Sequence, residues 1–188
     1  MTKPMDEIKD RVAAVVVTYN RAEMLRQCLV SLQKQTMPCD ILVVDNASTD
    51  DTQALVQRAA QHDASIFYRN TGENLGGAGG FNFGMRWAVE AGYAFVWVMD
   101  DDCFPEPVAL EKLLDADRLL QGEYGWLSSV ALWTDGRECR MNRPKIKKNF
   151  YDRIELLRDG ILLAEQATFV SLFLKAETIR AVGLPVKE

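Results

Sequence analysis

The run Val12 to Thr18 constrains this chain more than any other feature. It is short, almost entirely valine and alanine, and bounded by polar residues, so it has no face to give to water. Such a run suits a strand covered on both sides. Behind it, Leu25, Cys28, Leu29 and Leu32 recur at three- and four-residue intervals, which predicts a helix from about Ala22 to Gln35 with Asn20 as its cap. Ile41 to Asp45 reads as a second strand. Ser48 and Asp51 read as the capping pair of a second helix through Ala54, Leu55, Val56 and Ala59. Ser65 to Arg69 is a third strand. A glycine-rich turn from Leu75 to Gly80 leads into a helical segment, Phe81 to Ala91, and Ala94 to Met99 is a fourth strand. A helix is expected from Glu106 to about Gln121, and short strands and turns beyond it.

Strands alternating with helices need crossover connections, so the expected fold class is α/β, with a mainly parallel central sheet flanked by helices. In such sheets ligands bind outside the carboxyl ends of the strands. The polar residues gather there: Thr18, Tyr19 and Asn20 after strand one, Asp45 and Asn46 after strand two, and Asp100, Asp101 and Asp102 after strand four.

With 188 residues and 48% hydrophobic content, the chain can bury its own core as one compact domain. Residues 1–10 read as a flexible segment, 11–122 as the strand-helix region, and 123–188 as a less regular continuation. A net charge of −5 gives no global attraction to nucleic acid, which is excluded as a partner. Cys28, Cys39, Cys103 and Cys139 form no CxxC pair, and His62 has no ligand neighbour at zinc spacing, so free thiols in the cytoplasm are expected. The charged amino terminus and the shortness of the apolar runs argue against a signal peptide or a membrane span.

Three consecutive carboxylates at the end of an apolar strand repel one another unless a cation neutralises them. Mg²⁺ and Mn²⁺ bind through one or two carboxylates plus substrate phosphates, which makes Asp100 and Asp102 the candidate metal ligands. The plainer alternative, acids capping the next helix, is weakened by the apolar strand in front of them. The run Asn74, Leu75, Gly76, Gly77, Ala78, Gly79, Gly80 suggests close approach of backbone to a ligand, because each glycine costs backbone entropy. It is not the dinucleotide fingerprint, which places its glycines directly after the first strand. The basic segment Arg137, Arg140, Arg143, Lys145, Lys147 and Lys148 reads first as a solvated loop. Its second reading is a surface for an anionic acceptor or for acidic lipid headgroups at the inner face of a membrane. The four tryptophans read as core or pocket wall, with Trp133 the best candidate for a sugar platform.

Val15, Val16, Val17, Thr18, Tyr19, Asn20, Arg21, followed by Val43, Val44, Asp45, Asn46, Ala47, Ser48, Thr49, Asp50, resembles the opening of inverting family 2 glycosyltransferases of the GT-A fold. The run Asn74 to Phe81 with Asp100, Asp101 and Asp102 is similar to the subgroup containing galactofuranosyl- and rhamnosyltransferases. The resemblance implies a nucleotide-sugar-binding region over 11–122 and the start of an acceptor-side region over 123–188. It implies that Thr18, Tyr19, Asn20, Asp45, Asn46, Asn74, Gly76 and Gly77 lie around a uridine or thymidine nucleotide. Asp100 and Asp102 would hold Mn²⁺ or Mg²⁺ against its diphosphate, and Asp101 would face the sugar as the catalytic candidate.

The implied reaction is a single displacement onto a glycan or lipid-linked acceptor in cell-envelope polysaccharide synthesis, assisted by a carboxylate base. In the family an acidic motif carrying that base follows the position of Gly183, Leu184, Pro185, and this sequence ends at Glu188. The expectation is therefore a fragment that binds donor without efficient transfer. Two alternatives stand beside it. One is a non-catalytic nucleotide-sugar-binding module. The other is a sugar nucleotidyltransferase, which would want a basic glycine-rich loop directly after strand one, where only Arg21 is found.

Overall fold

A computed structural model describes residues 11–186. The amino-terminal segment 1–10, read above as flexible, lies outside the described residues. Strands β1 (Val12–Thr18), β2 (Asp40–Asp45), β3 (Ile66–Asn70) and β4 (Phe95–Asp100) alternate with helices α1 (Ala22–Gln33), α2 (Thr52–His62) and α3 (Gly76–Glu90). After β4 come α4 (Ala109–Leu119), the short strands β5 (Leu127–Ser128), β6 (Lys145–Ile146) and β7 (Ala164–Gln166), then β8 (Leu172–Lys175) and α5 (Ala176–Val182).

The main sheet has the order β3-β2-β1-β4-β8-β5. The first four strands are parallel, and β8 is antiparallel to both β4 and β5. The α/β architecture is the one expected, and one sheet unites both halves of the chain: β8, from the region beyond residue 122, hydrogen-bonds directly to β4.

Alternation along β1 explains its composition. Val12, Ala14 and Val16 pack with Leu25, Leu29, Val56, Trp97 and Leu110 on one face. Ala13, Val15 and Val17 pack with Phe81, Met85 and Ala88 on the other. A strand buried on both faces has no polar positions to spare.

Local details differ from expectation where long-range contacts decide them. The glycine run is not a turn before a helix but the first turns of α3 itself. A Cβ on Gly80 would sit 2.6 Å from Val17 Cγ1, and one on Gly84 2.3 Å from Val15 Cγ1 and 2.9 Å from Val44 Cγ2. The glycines therefore let the helix lie against the sheet, and that packing outweighs their poor helix propensity.

Capping differs too. The Asn20 side chain does not cap α1, because its Oδ1 accepts from the Thr49 amide at 2.7 Å. Ser48 Oγ accepts from the Asn20 amide, and no side-chain cap comes from Asp51. Asp50 does the work of both expected caps: its carboxylate accepts from the Ala22 amide at 3.0 Å and the Thr52 amide at 3.1 Å, joining the first turns of α1 and α2. Helix α4 begins at Ala109 rather than Glu106, with Gln35 Oε1 accepting from the Leu110 amide.

Gly84→Ala should force Val15 or Val44 aside and destabilise the fold by about 1–3 kcal/mol, measured by urea denaturation.

Candidate functional site

Strand order reverses at β1: β2 lies on one side of it and β4 on the other, with their crossovers on opposite faces. The carboxyl ends of β1 and β4 thus open a crevice, the usual ligand position in such a sheet. A cleft of about 330 Å³ lies there, lined by Val17, Thr18, Tyr19, Arg21, Asn46, Asn74, Gly76, Gly77, Asp100 and Asp101.

The three consecutive carboxylates have three different environments. Asp101 is 2% exposed. Its Oδ2 accepts from Thr18 Oγ1 at 2.6 Å, and its Oδ1 pairs with Arg21 Nη1 at 3.0 Å. Asp102 is exposed at the rim, where its Oδ2 accepts from Arg21 Nη2 at 2.8 Å. Asp100 is half-buried, and among the described residues no hydrogen bond or ion pair engages its carboxylate. Burial raises the Asp100 pKa from 3.8 to about 6, and the charges of Asp102 and Asp101 add to the shift. Burial also raises Asp101, against the opposing pull of Thr18 and Arg21. Arg21 is held charged chiefly by its bond to Asp102.

The opposite wall is the start of α3. Asn74 Oδ1 accepts from the Gly76 amide at 2.9 Å, which fixes the entry of the helix, and Gly76 adopts φ +68. Asn46 Nδ2 donates to the Gly76 carbonyl at 3.0 Å. Asn46 is 3% exposed, and its Oδ1 is buried without a partner. A Cβ on Gly76 or Gly77 would meet nothing within 4 Å, unlike those on Gly80 and Gly84. The run thus serves two ends: its later glycines admit the sheet, and its earlier ones leave the cleft open.

Of the residues singled out in the sequence, Thr18, Tyr19, Asn46, Asn74, Gly76, Gly77, Asp100 and Asp101 meet at this cleft. Asn20, Asp45 and Asp102 lie outside its lining. Asp45 is fully buried. Its Oδ1 accepts from the Ser48 amide at 2.8 Å, and its Oδ2 from Tyr68 Oη at 2.6 Å and Asn70 Nδ2 at 3.3 Å. Asp45 therefore shapes the loop behind the cleft. Sequence reasoning missed Arg21 as a partner of the acids, and Tyr68 and Asn70 as partners of Asp45. The one available signal was that adjacent carboxylates require a cation, and Arg21 stands directly after the strand-one turn.

The described residues contain no cluster of three or more His, Cys, Asp or Glu side chains arranged around one metal position. A cation here would have Asp100, and Asp102 at the rim, from the protein, with remaining positions open to phosphate oxygens and water. That suits Mg²⁺ or Mn²⁺ better than a fully enclosed site would. All four cysteines are free, and burial pushes the Cys103 thiol up to about 12.

Comparison with known proteins agrees with this geometry. A family model described as glycosyl transferase family 2 matches residues 13–120, more than half of the chain. The undecaprenyl-phosphate mannosyltransferase of Micrococcus luteus is 38% identical over 110 residues, covering 57% of this chain and 44% of that protein. The galactofuranosyltransferase GlfT1 of Mycobacterium tuberculosis is 42% identical over 94 residues, covering 50% of this chain and 31% of the relative. The chain thus spans less than half the length of these curated relatives. Among solved structures, the mannosyltransferase PcManGT of Pyrobaculum calidifontis, in complex with GDP-Man and Mn²⁺, superposes with TM-score 0.62 at 23% identity, covering 94% of this chain and 47% of that one. Residues 1–349 of S. aureus TarS in complex with UDP give TM-score 0.64 at 21% identity, covering 91% and 48%. These likenesses identify the fold as GT-A.

Asp100→Asn tests the charge problem directly. The folded state holds the Asp100 proton more tightly than the unfolded chain, so this residue's contribution to stability falls as pH rises from about 3.8 to about 6 and its cost is complete above that. Asp100→Asn should raise the melting temperature at pH 8 and change it little at pH 3, as read by calorimetry at both pH values.

Proposed function

The chain belongs to glycosyl transferase family 2, and from that membership we propose that its cleft binds a nucleoside diphosphate sugar for transfer of the sugar to a glycan or lipid-linked acceptor with inversion. The observation that carries this reading is Asp100: a half-buried carboxylate without a partner among the described residues, beside two others, at the switch point of a parallel sheet. A divalent cation would relieve that arrangement, and it would leave ligand positions for a diphosphate.

In this reading Asp100 and Asp102 hold Mn²⁺ or Mg²⁺, which when bound neutralises the charge left on the departing nucleoside diphosphate. Asp102 would be available to the cation only once released from Arg21, whose guanidinium also pairs with Asp101 at the cleft wall. Thr18 and Asp101 lock the ends of β1 and β4 together, so the acidic edge keeps its geometry as ligand enters. Tyr19, Asn46, Asn74, Gly76 and Gly77 border the nucleotide. The first turn of α3 offers backbone amides to anionic oxygens. Asn20 and Asp45 act from behind, through Thr49, Ser48, Tyr68 and Asn70.

A uridine or thymidine nucleotide carrying galactofuranose or rhamnose is the proposed donor. It is supported by the glycine-run resemblance and by the likeness to a galactofuranosyltransferase. The likeness to an enzyme named for undecaprenyl phosphate supports a lipid-linked acceptor and a place in cell-envelope polysaccharide synthesis, with the protein working at the inner face of the membrane. A second reading, a module that binds nucleotide sugar without transferring it, is favoured by Asp101, whose two carboxylate oxygens are both committed within the chain. Formation of glycosylated acceptor separates the two.

Calorimetric titration with UDP and with dTDP, each with and without Mn²⁺, tests the site. Affinity for one of them should depend on Mn²⁺ and fall at least about tenfold in Asp100→Asn or Asp102→Ala. Metal-independent binding unchanged in both variants would remove the assignment. Gly77→Ala supplies a second, opposite-signed check. A helical alanine in open space should stabilise the fold by about 0.5–1 kcal/mol while weakening nucleotide binding, because the new methyl group enters the cleft.

A further inference from the structure

We propose that residues 129–171 form a docking surface for an anionic lipid bilayer, beside the mouth of the donor cleft. The proposal rests on the reading that the acceptor is lipid-linked, and it names the surface that would bring the site to it.

Topology supplies the first observation. Strand β8 runs antiparallel to β4, with Leu172 opposite Val98 and Lys175 opposite Phe95, and β5 pairs Ser128 with Leu172. The chain therefore leaves the sheet after Ser128 and re-enters at Leu172 on the end where β4 runs into Asp100, Asp101 and Asp102. Both roots are fixed there: Trp97 Nε1 donates to Ser171 Oγ at 2.9 Å, and Ser171 Oγ donates to Ser129 Oγ at 2.8 Å.

Charge is the second observation. Residues 137–148 carry six basic side chains against Glu138 alone, a net +5 within a chain whose total is −5. Over 129–171 as a whole eight basic side chains face six acidic ones, so the positive charge is concentrated in 137–148. Arg137 is paired with Asp135, Arg143 with Glu138 and Lys145 with Glu165, whereas Arg140, Lys147 and Lys148 are exposed and make no ion pair among the described residues.

The third observation is what accompanies those cations. Of the seventeen large apolar side chains exposed in the described chain, nine fall between Val130 and Leu162, including Leu132 at 59%, Trp133 at 51%, Met141 at 78% and Tyr151 at 69%. Exposed tryptophan, tyrosine and aliphatic side chains interleaved with arginine and lysine are the composition of an interfacial surface, whose apolar groups enter the headgroup boundary while cations meet acidic lipid.

The pieces are joined rather than scattered. The Cys139 amide donates to the Ala131 carbonyl, closing a hairpin that carries Leu132 and Trp133. A short 3-10 turn, Arg140–Asn142, follows directly. Strand β6 then pairs with β7, and the Lys147 amide donates to the Leu163 carbonyl.

Co-sedimentation of the purified chain with vesicles tests this. Binding to 70:30 phosphatidylcholine:phosphatidylglycerol vesicles should exceed binding to pure phosphatidylcholine and weaken at high salt. In the triple variant Arg140→Ser, Lys147→Ser, Lys148→Ser it should drop on the order of a hundredfold, about fivefold per cation. Trp133→Ser with Met141→Ser should lower it further without changing the salt dependence. Equal binding to both vesicle types, no binding to either, or full binding by the triple variant would overturn the proposal. So would a concentration-dependent dimer, in sedimentation velocity, that the Trp133 and Met141 changes dissociate, since that would assign the surface to a second copy. Vesicle binding needs neither donor nor metal, so its failure leaves the nucleotide titrations standing, and theirs leaves the vesicle result standing.

Discussion

Consecutive carboxylates at the end of a strand buried on both faces set the terms for the rest of this structure. Strand alternation separates them. Val96 and Val98 point into the layer beneath α3, and Trp97 and Met99 into the layer beneath α1 and α4. Asp100 continues the first row and reaches the α3 side, where it lines the cleft. Asp101, just past the strand's end, lines the same cleft but is held by Thr18 and Arg21. One acidic run therefore does two jobs that a single residue could not. Asp101 uses its charge to bind the ends of β1 and β4 together, and Asp100 keeps its charge available at a cost that burial imposes.

The same economy appears on the facing wall. Helix α3 must lie close enough to the sheet to cover Val15, Val17 and Val44, and only glycine at positions 80 and 84 allows that approach. Once those positions fix the helix against the sheet, its first turn necessarily stands beside the ends of β1 and β2. Gly76 and Gly77 then border the cleft, and Asn46 bridges to the Gly76 carbonyl. The position of this cleft-lining turn is thus a consequence of core packing several residues further along the helix, which ties the cleft's geometry to the stability of the fold.

Much of this was legible in the sequence, for a physical reason. Elements whose burial is decided by period, such as β1, α1, β2 and β4, reveal themselves because an apolar residue out of register would be exposed. The clustering of Thr18, Asn46 and Asp100 followed from the parallel topology, and Asn74 from the glycine run that it opens. Contacts between side chains far apart in sequence were not legible. Asp50 caps a helix that begins 28 residues earlier, and Arg21 bonds a carboxylate 81 residues later. Local capping rules select Ser48 and Asp51 for α2, but Asp50 between them takes the Thr52 amide and also reaches across to the first turn of α1. Intrinsic propensity disfavours a glycine helix and makes the run read as a turn, and tertiary contact with the sheet reverses that preference. Asp45 shows the limit in the other direction. An acid after a parallel strand reads as a ligand contact, yet Tyr68 and Asn70, on the neighbouring strand, consume its lone pairs.

The antiparallel return of β8 closes the logic of the architecture. A parallel strand beside β4 would have required another crossover and would have carried the following connection across a face of the sheet. An antiparallel one lets the intervening chain leave and re-enter at a single end, so it can be long and irregular without disturbing either core layer. The polar cost at its roots is small, since the indole of Trp97 and the hydroxyls of Ser171 and Ser129 satisfy one another. Because β4 ends in the acidic run, that end of the sheet is also the mouth of the cleft. Whatever the excursion touches is thereby held beside the cleft that Asp100 and Asp101 line.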